Sequence, residues 1–404
     1  MEKRRKVLLC VSGGIAVFKA AALTSKLIQS GYLVKVVMTK SATEFVSPLT
    51  FQALSRDHVY TNTFDEKDPA NVQHIDVADW ADVVLIAPAT ANIIAKLANG
   101  LADDMVSTTL LATTAPVLIA PAMNVHMYQH PAVLKNMSTL SSYGYEFIEP
   151  NEGYLACGYE GKGRLAEPEE LLQVIDHHFT RRENPEWHGK TMLVTAGPTR
   201  ETIDPVRYFT NRSSGKMGYA IAEEASARGA NVTLISGPTN LPVPRGVNFI
   251  SVESAEQMRQ AVYSVFQENE MVIKCAAVAD YRPKNTFDQK IKKQDGEWTI
   301  EMERTNDILK GLGERRTIGQ TLVGFAAESQ QIEEYAKKKI VSKNVDMIVA
   351  NSITSPGSGF QGDTNEVTLY KRTGEVILVP MDTKVEVAKR ILDEIMIIHK
   401  EIKK

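Results

Sequence analysis

Cysteine is scarce in this chain. Three residues in 404 (Cys10, Cys157 and Cys275) are too few for a disulfide scaffold, so a reducing, cytoplasmic setting is expected. Net charge is scarce as well: 46 basic against 49 acidic residues leave −3, with an isoelectric point of about 6.3. That balance argues against a nucleic-acid binder relying on a general basic field. Long apolar runs are missing too. The start MEKRRK-VLLC superficially suggests a signal peptide, but the run stops at Ser12-Gly13-Gly14 and turns amphipathic. Neither a signal sequence nor a membrane span fits that pattern. The two halves share no sequence-level repeat, and there is no low-complexity tract.

What remains is an ordinary globular composition, 43% hydrophobic and 24% charged, at a length that suggests two or three domains. Two segments read as fresh starts of α/β domains: Lys6–Ser12 running into a helix over Ile15–Ser30, and Thr191–Ala196 ending at Gly197-Pro198. Between them Thr180–Lys190 is polar and broken by proline and glycine, which is linker composition. The reading is two tandem doubly wound, Rossmann-like domains, 1–187 and 188–404, the first flavodoxin-like and the second an α/β domain closed by a hairpin. Strands are expected at 32–38, 83–87, 117–120, 146–148, 232–236, 271–276, 321–326 and 347–350. The hairpin is expected at 366–370 and 375–380. Helices are expected at 91–99, 125–142, 219–228 and 385–398, the last with residues 388, 391, 392, 395 and 398 on one apolar face. Cys10 and Cys275 fall in expected strands and read as packing residues.

In the first half, Ser12-Gly13-Gly14 joins strand to helix, where small residues let backbone N–H groups approach an anion at a helix start. A plain tight turn explains it equally well, since no G-x-G-x-x-G opens either strand-to-helix turn. Pro88-Ala-Thr90-Ala-Asn92 and the stretch from Asp103 to Thr109 add amide and hydroxyl donors at the carboxyl edge of the sheet. His74 stands alone in NVQHIDVADWAD, and a lone histidine is more often surface or core than catalytic. Asn124 in PAMN fits a helix N-cap, a carboxylate ligand, or both. Four glycines around Cys157 in GYLACGYEGKGR describe a mobile loop able to close over a pocket and deliver a thiol.

The motifs SGGIAVFK, HIDVADWAD, PATANIIAKLANGLADD, PAMN and GYLACGYEGKGR, in that order over residues 5–180, closely resemble the flavin-dependent cysteine decarboxylases that act on phosphopantothenoylcysteine. One departure is Leu165, where that family commonly has methionine; the swap nearly conserves volume. The resemblance implies bound FMN, held by Ser12, Gly13, Gly14, Thr39, Ser41, Thr90, Asn92, Ser107 and Thr108. It further implies His74 as catalytic histidine, Asn124 as ligand of the substrate carboxylate and Cys157 as proton donor. Such chemistry needs an electron sink. Oxidising the substrate thiol to a thioaldehyde places C=S where it accepts electrons as CO₂ leaves, and an acid then completes the product.

In the second half, Asn211-Arg-Ser-Ser-Gly-Lys216 is a dense donor set suited to phosphate or carboxylate, or equally a solvated helix cap. Asp280 in AAVADYRP could take a ribose hydroxyl, a metal or an amide. Lys290-Ile-Lys-Lys293 is a charge run of the kind usually solvated, yet able to act as a flap on a triphosphate. The ordered motifs TAGPTRETIDPVRYFTNRSSGKMG, AAVADYRP, KIKK, TNDIL and GFAAES resemble phosphopantothenate–cysteine ligase over residues 190–400. That resemblance implies CTP as co-substrate with Mg²⁺ (or Mn²⁺) at Asp280. It places Asn211 at the 4′-phosphopantothenate carboxylate and in acyl-cytidylate formation, and Lys290 on that intermediate. The nucleotide contacts it implies are Ala276, Asp280, Lys290, Asn306, Asp307, Ile308, Leu309, Phe325, Lys339 and Lys343. Three consecutive lysines leave a one-residue slip open between Lys338 and Lys339.

Together the halves resemble the bacterial bifunctional coenzyme A biosynthesis family. It implies cysteine ligation followed by decarboxylation, L-cysteine as a substrate, no membrane partner, and a homo-oligomer of trimeric flavin domains and dimeric ligase domains, a dodecamer. Two other readings stand beside it: a flavin-binding regulatory protein without chemistry, and an NAD(P)-dependent oxidoreductase. The retained His74, Asn124 and Cys157 weigh against the first, and the missing dinucleotide fingerprint weighs against the second.

Overall fold

Short, wholly apolar runs such as VVLIAPA have no polar face to show water, so they fit only a sheet covered on both sides. The computed structural model builds them that way, and it describes residues 4–65, 71–154, 158–292, 298–328, 332–352 and 362–403. Two units result, residues 1–176 and 177–404.

The first unit contains strands β1 (Lys6–Val11), β2 (Leu33–Met38), β3 (Val59–Tyr60), β4 (Val83–Ala89), β5 (Val117–Pro121) and β6 (Glu146–Phe147), followed by a separate hairpin, β7 (Asn151–Tyr154) and β8 (Glu160–Arg164). Its helices are α1 (Val17–Gln29), α2 (Lys40–Thr43), α3 (Pro48–Ser55), α4 (Gln73–Trp80), α5 (Ala91–Ala98), α6 (Met105–Ala112), α7 (Val125–Tyr128), α8 (Pro131–Ser142) and α9 (Pro168–Glu183), the last running on into the second unit. The parallel sheet has the order 3-2-1-4-5-6. Without the two-residue β3 this is the flavodoxin-like order, with the switch point between β1 and β4. The single helix expected over 125–142 is two helices. Pro131 cannot donate into a continuing helix and instead occupies the first turn of α8, with His130 accepting from Ala132 N.

The second unit continues with β9 (Thr191–Ala196), the hairpin β10 (Arg200–Asp204) and β11 (Arg207–Thr210), β12 (Asn231–Ser236), β13 (Val247–Ser251), β14 (Met271–Lys274), the short pair β15 (Tyr281–Pro283) and β16 (Met302–Arg304), β17 (Thr321–Glu328), β18 (Met347–Ser352), β19 (Thr364–Lys371) and β20 (Val376–Thr383). Its helices are α10 (Lys216–Arg228), α11 (Ala255–Val265), α12 (Ile308–Arg315), α13 (Ile332–Lys343) and α14 (Lys384–Ile402). The main sheet runs 13-12-9-14-17-18-19-20, parallel through β18 and antiparallel for the closing hairpin β19–β20. Helices α10 and α14 bury one face, with Ile391, Leu392 and Ile395 against Val194, Ile273 and Val323. Helices α11, α12 and α13 bury the other, through residues such as Met258, Leu312 and Ile340.

Two expectations change. Thr180–Lys190 is not an extended linker: α9 continues to Glu183, and a 3₁₀ turn over Pro185–Trp187 carries Trp187, 1% exposed, into the core of the second unit. The polar composition hid one large apolar anchor. Cys275 lies one residue beyond β14, not in a strand, whereas Cys10 is buried within β1. Trp187→Ala should destabilise the second unit by about 3–5 kcal/mol, the range for emptying an aromatic core position. Urea unfolding followed by circular dichroism measures it, and a change under 1 kcal/mol would contradict the buried-anchor description.

Candidate active sites

In the first unit the turns after β1 and β4 are stitched together. Ser12 Oγ donates to Pro88 O at 2.7 Å, accepts from Thr90 N at 3.0 Å and lies 3.2 Å from Thr90 Oγ1. Gly13 is pressed against the backbone after β2: a Cβ there would fall 2.4 Å from Ser41 Cβ and 2.8 Å from Ser41 O. Thr39 donates its N–H to Val11 O at 3.0 Å and caps α2. Ser12, Gly13, Gly14, Thr39, Ser41 and Thr90 therefore meet at the switch point, while Asn92 is exposed in the first turn of α5. Helix α1 begins without a side chain capping its first turn. Open amides beside two glycines fit the phosphate of a flavin mononucleotide.

Ser107 and Thr108 are engaged otherwise. Wholly buried, Ser107 shares a capping box with Asp104, its hydroxyl 3.1 Å from both Asp104 N and Asp104 O. Thr108 Oγ1 donates to Ala102 O at 3.4 Å. Both hydroxyls thus hold the loop that opens α6.

His74 is the second residue of α4, and its Nδ1 is buried with no hydrogen-bond partner among the described residues. An orphaned ring nitrogen costs roughly 1–3 kcal/mol. Asn124 caps α7, accepting from His126 N at 2.8 Å. Cys157 lies outside the described residues. The segment around it, expected as a mobile loop, is the antiparallel hairpin β7–β8 seated on the PAMN turn. Met123 N donates to Gly163 O at 3.0 Å, and a Cβ on Gly163 (φ +154°) would sit 2.2 Å from Met123 O. Glycine here serves close approach of two backbones. Sequence reasoning missed Lys19, a buried cation on an apolar helix face, whose Nζ anchors the hairpin base at 2.9 Å to both Leu165 O and Glu167 Oε1. Its one sequence signal is a charge between the buried Val17 and Ala20.

In the second unit a cavity of about 960 Å³ opens at the carboxyl edge of the sheet. Of the residues singled out above, it gathers Asn211, Ala276, Asp280, Asn306, Asp307, Ile308, Leu309, Phe325, Lys339 and Lys343. The turn after β9 and the loop after β14 are sewn side by side: Ala277 N donates to Gly197 O at 2.9 Å and Asn211 Nδ2 to Ala277 O at 3.0 Å. Asp307 caps α12 through Lys310 N at 2.9 Å and pairs with Lys343. Burial opposes ionisation of that carboxyl, but Lys343 and the helix amide outweigh it and hold its pKa low. Lys338 lies outside the cavity lining, paired with Glu334 at 2.6 Å on the exposed face of α13.

Lys290 does not line the cavity; it is exposed on the loop after β15. The next residue tethers that loop, with Ile291 N donating to Asp204 Oδ2 at 3.2 Å and Arg207 Nη2 to Ile291 O at 2.9 Å. The lining residues that sequence reasoning left unused include Lys274, Cys275, Asn351, Asn365 and Lys384. Seven cationic side chains line the cavity against two carboxylates, Asp280 and Asp307, which suits a multiply charged anion. Burial pulls the Lys274 pKa down to about 8 against the pull of Cys275, Asp307 and Asp280 the other way. Burial likewise pushes the Cys275 thiol up to about 12, which makes it inert. Among the described residues no cluster of three or more histidine, cysteine or acidic side chains could cage a metal, and no helix is long and apolar enough to cross a membrane.

Fold and sites define a tandem α/β protein with a flavoprotein half. Residues 1–180 match the flavoprotein family, and residues 187–398 match the DNA/pantothenate metabolism flavoprotein C-terminal domain. The chain belongs to the family of bifunctional coenzyme A biosynthesis proteins. It is 60% identical over 402 residues to the coenzyme A biosynthesis bifunctional protein CoaBC of Bacillus subtilis (strain 168), covering 99% of each chain. The Escherichia coli (strain K12) protein of the same name is 43% identical over 395 residues, 97% of each. A solved C-terminal domain of CoaBC is 51% identical, covering 53% of this chain and 97% of its own, with a TM-score of 0.46. A cysteine-to-serine variant of PPC decarboxylase complexed with pantothenoylaminoethenethiol is 31% identical, covering 44% of this chain and 99% of its own, with a TM-score of 0.40.

Gly163→Ala should unseat the hairpin from Met123 and raise protease sensitivity between residues 151 and 164; unchanged cleavage would contradict the close-approach account. Burial lowers the Lys274 pKa from 10.5 to about 8, so the unfolded chain binds more protons between pH 8 and 10.5 and stability rises with pH there. Lys274→Met should flatten that rise and be more stable near neutrality, by a few kcal/mol at most at about 1.4 kcal/mol per pKa unit. Urea midpoints across that pH range in both proteins measure it.

Proposed function

We propose that the chain catalyses two consecutive steps of coenzyme A assembly. Residues 188–404 join L-cysteine to 4′-phosphopantothenate with CTP, and residues 1–187 decarboxylate the product to 4′-phosphopantetheine. The observation that carries the reading is the cation-rich cavity of the second unit, which draws together residues from four of the five ordered motifs and the lysines of α13.

A carboxylate is a poor acylating agent. Its attack on the α-phosphate of CTP releases pyrophosphate and gives an acyl-cytidylate, from which the cysteine amine displaces CMP to form the amide. Asn211, held by its amide to Ala277 O, is positioned to orient the attacking carboxylate. Lys339 and Lys343 offset phosphate charge, and the first turn of α12 offers amides to the nucleotide. Asp280 belongs to no cluster of three or more metal-binding side chains among the described residues, as expected where Mg²⁺ (or Mn²⁺) is held largely by phosphate oxygens and water. Lys290, on its tethered loop, acts on the acyl-cytidylate as the loop closes.

In the first unit FMN, when bound, supplies the oxidation of the substrate thiol and the later return of a hydride. Ser12, Thr90 and the first turn of α1 hold its phosphate. His74 offers its unpaired Nδ1 to the reacting end of the substrate, and Asn124 holds the carboxylate that leaves as CO₂. Cys157 delivers the final proton. The small cysteine count and near-neutral charge fit a cytoplasmic enzyme acting on small anions, in a homo-oligomer of trimeric flavin domains and dimeric ligase domains.

A coupled assay with 4′-phosphopantothenate, cysteine, CTP and Mg²⁺, following pyrophosphate, CMP and CO₂, tests the whole reading; a yellow protein that turns over neither step sinks it. Cys157→Ser should retain FMN and thiol oxidation but stall at the oxidised ene-thiol, and a normal yield of 4′-phosphopantetheine would refute its role as acid. Lys290→Gln should still release pyrophosphate while acyl-cytidylate accumulates; normal turnover with cysteine removes it from the reaction.

A further inference from the structure

Lys19 is the third residue of α1 and 6% exposed, a cation where its surroundings oppose one. The first turn of a helix carries the positive end of the macrodipole, and burial strips an ammonium of its water. An apolar side chain of similar volume would pack there without either penalty, so stability alone does not call for lysine. The charge instead reaches out of the helix. Its Nζ donates to Leu165 O and to Glu167 Oε1, each at 2.9 Å, across 146 and 148 residues of chain.

Those acceptors sit at a junction. The same Glu167 Oε1 accepts from Arg164 Nη2 at 2.7 Å, where β8 ends. Glu167 N donates to Glu170 Oε2 at 2.7 Å, and Asn151 Nδ2, where β7 begins, donates to that oxygen at 2.7 Å. Leu165 and Ala166, each 1% exposed, bury the chain as it leaves β8. Lys19 thereby ties both strands of the hairpin, at their base, to α1, the helix that follows the Gly13-Gly14 turn.

The hairpin needs such a tie. Among the described residues β7 and β8 pair only with each other, and an isolated two-stranded hairpin is marginal in water. Pairing fixes one strand against the other but not the direction of the pair. The PAMN turn supports it at Gly163 and Gly161, and Lys19 supplies a second support. Leverage makes that second support matter. The Tyr154–Glu160 rung lies four residues along β8 from Arg164, about 13 Å at ~3.3 Å per residue. A tilt of about 5° at the base moves that rung by about 1 Å, an error that in a reacting group can cost on the order of 10²-fold.

We propose that Lys19 is a positioning residue for the last step of the decarboxylation, aligning the β7–β8 hairpin with α1 so that the proton donor carried between the strands reaches the ene-thiol. The inference rests on the decarboxylase reading of the first unit. In that reading thiol oxidation and loss of CO₂ come before the hairpin delivers its proton, so a tilted hairpin slows protonation alone.

The test gives 4′-phosphopantothenoylcysteine to the full-length, flavin-loaded protein and to its Lys19→Met, Lys19→Arg and Glu167→Gln variants. CO₂ and 4′-phosphopantetheine are counted together, and amide hydrogen exchange is followed across the first unit. Lys19→Met should lower the ratio of 4′-phosphopantetheine to CO₂ by about tenfold or more, with oxidised ene-thiol making up the difference. Hairpin amides should then exchange about tenfold faster, while those of β1 and β4 stay within about twofold. Lys19→Arg still offers donors to the same carbonyl and carboxylate, and should return the ratio to within about threefold of the unaltered protein. Glu167→Gln keeps the Leu165 O contact and should shift ratio and exchange in the same direction by less; it decides the outcome if Lys19→Met fails to fold. An unchanged ratio in both variants, or CO₂ and 4′-phosphopantetheine falling together, overturns the positioning role. Unaltered protein that binds FMN yet releases no CO₂ overturns the decarboxylase reading, and the inference with it.

Discussion

Burying both faces of a parallel sheet leaves its carboxyl edge as the place where open backbone amides and polar side chains can meet a ligand. Both units obey this constraint. In the first, Ser12 ties the turn after β1 to the turn after β4, and Gly13 lets a third turn press in from β2. In the second, the turn after β9 and the loop after β14 are bonded along their length, so that Asn211 and Ala276 border one space. Helix starts, glycines and hydroxyls recur at these edges because each exposes or accepts a backbone N–H without filling the room a substrate needs.

Electrostatics then separates the units. The first has a sparse polar edge with one buried histidine nitrogen that has no hydrogen-bond partner among the described residues. The second concentrates lysine and arginine around two aspartates, and two of those lysines, Lys274 and Lys384, are disfavoured as cations where they stand. A fold tolerates such groups when a bound anion offsets them, so the site is less stable empty than its packing alone would make it.

Much of this was legible from composition and period. The strands over β1, β4, β9 and β12 lie within a residue or two of expectation, because unbroken apolar runs ending at glycine or proline have few alternatives. The apolar face of α14 includes Ala388, Ile391, Leu392, Ile395 and Ile398, the residues its helical spacing selects. Less legible were features that depend on a distant partner. The break between α7 and α8 was signalled by Pro131 and passed over, but Trp187 reads as linker until the second core is there to receive it. The glycines near Cys157 imply freedom when read locally; in the hairpin Gly163 is a contact point against Met123 and Gly161 against Val125.

Residue order alone settles the α/β class and the family, since these rest on local periodicity and on motifs that occur in sequence. It could not show that Lys384 and Asn365 share a cavity with Lys216, because about 150 residues of chain separate them and no local pattern marks the pairing. Nor could it show that Ser107 spends its hydroxyl on Asp104, or that Lys19 is buried beneath the hairpin. Proximity, burial and unmet hydrogen bonds belong to the folded chain. They arise only when sheet order brings distant turns to one edge.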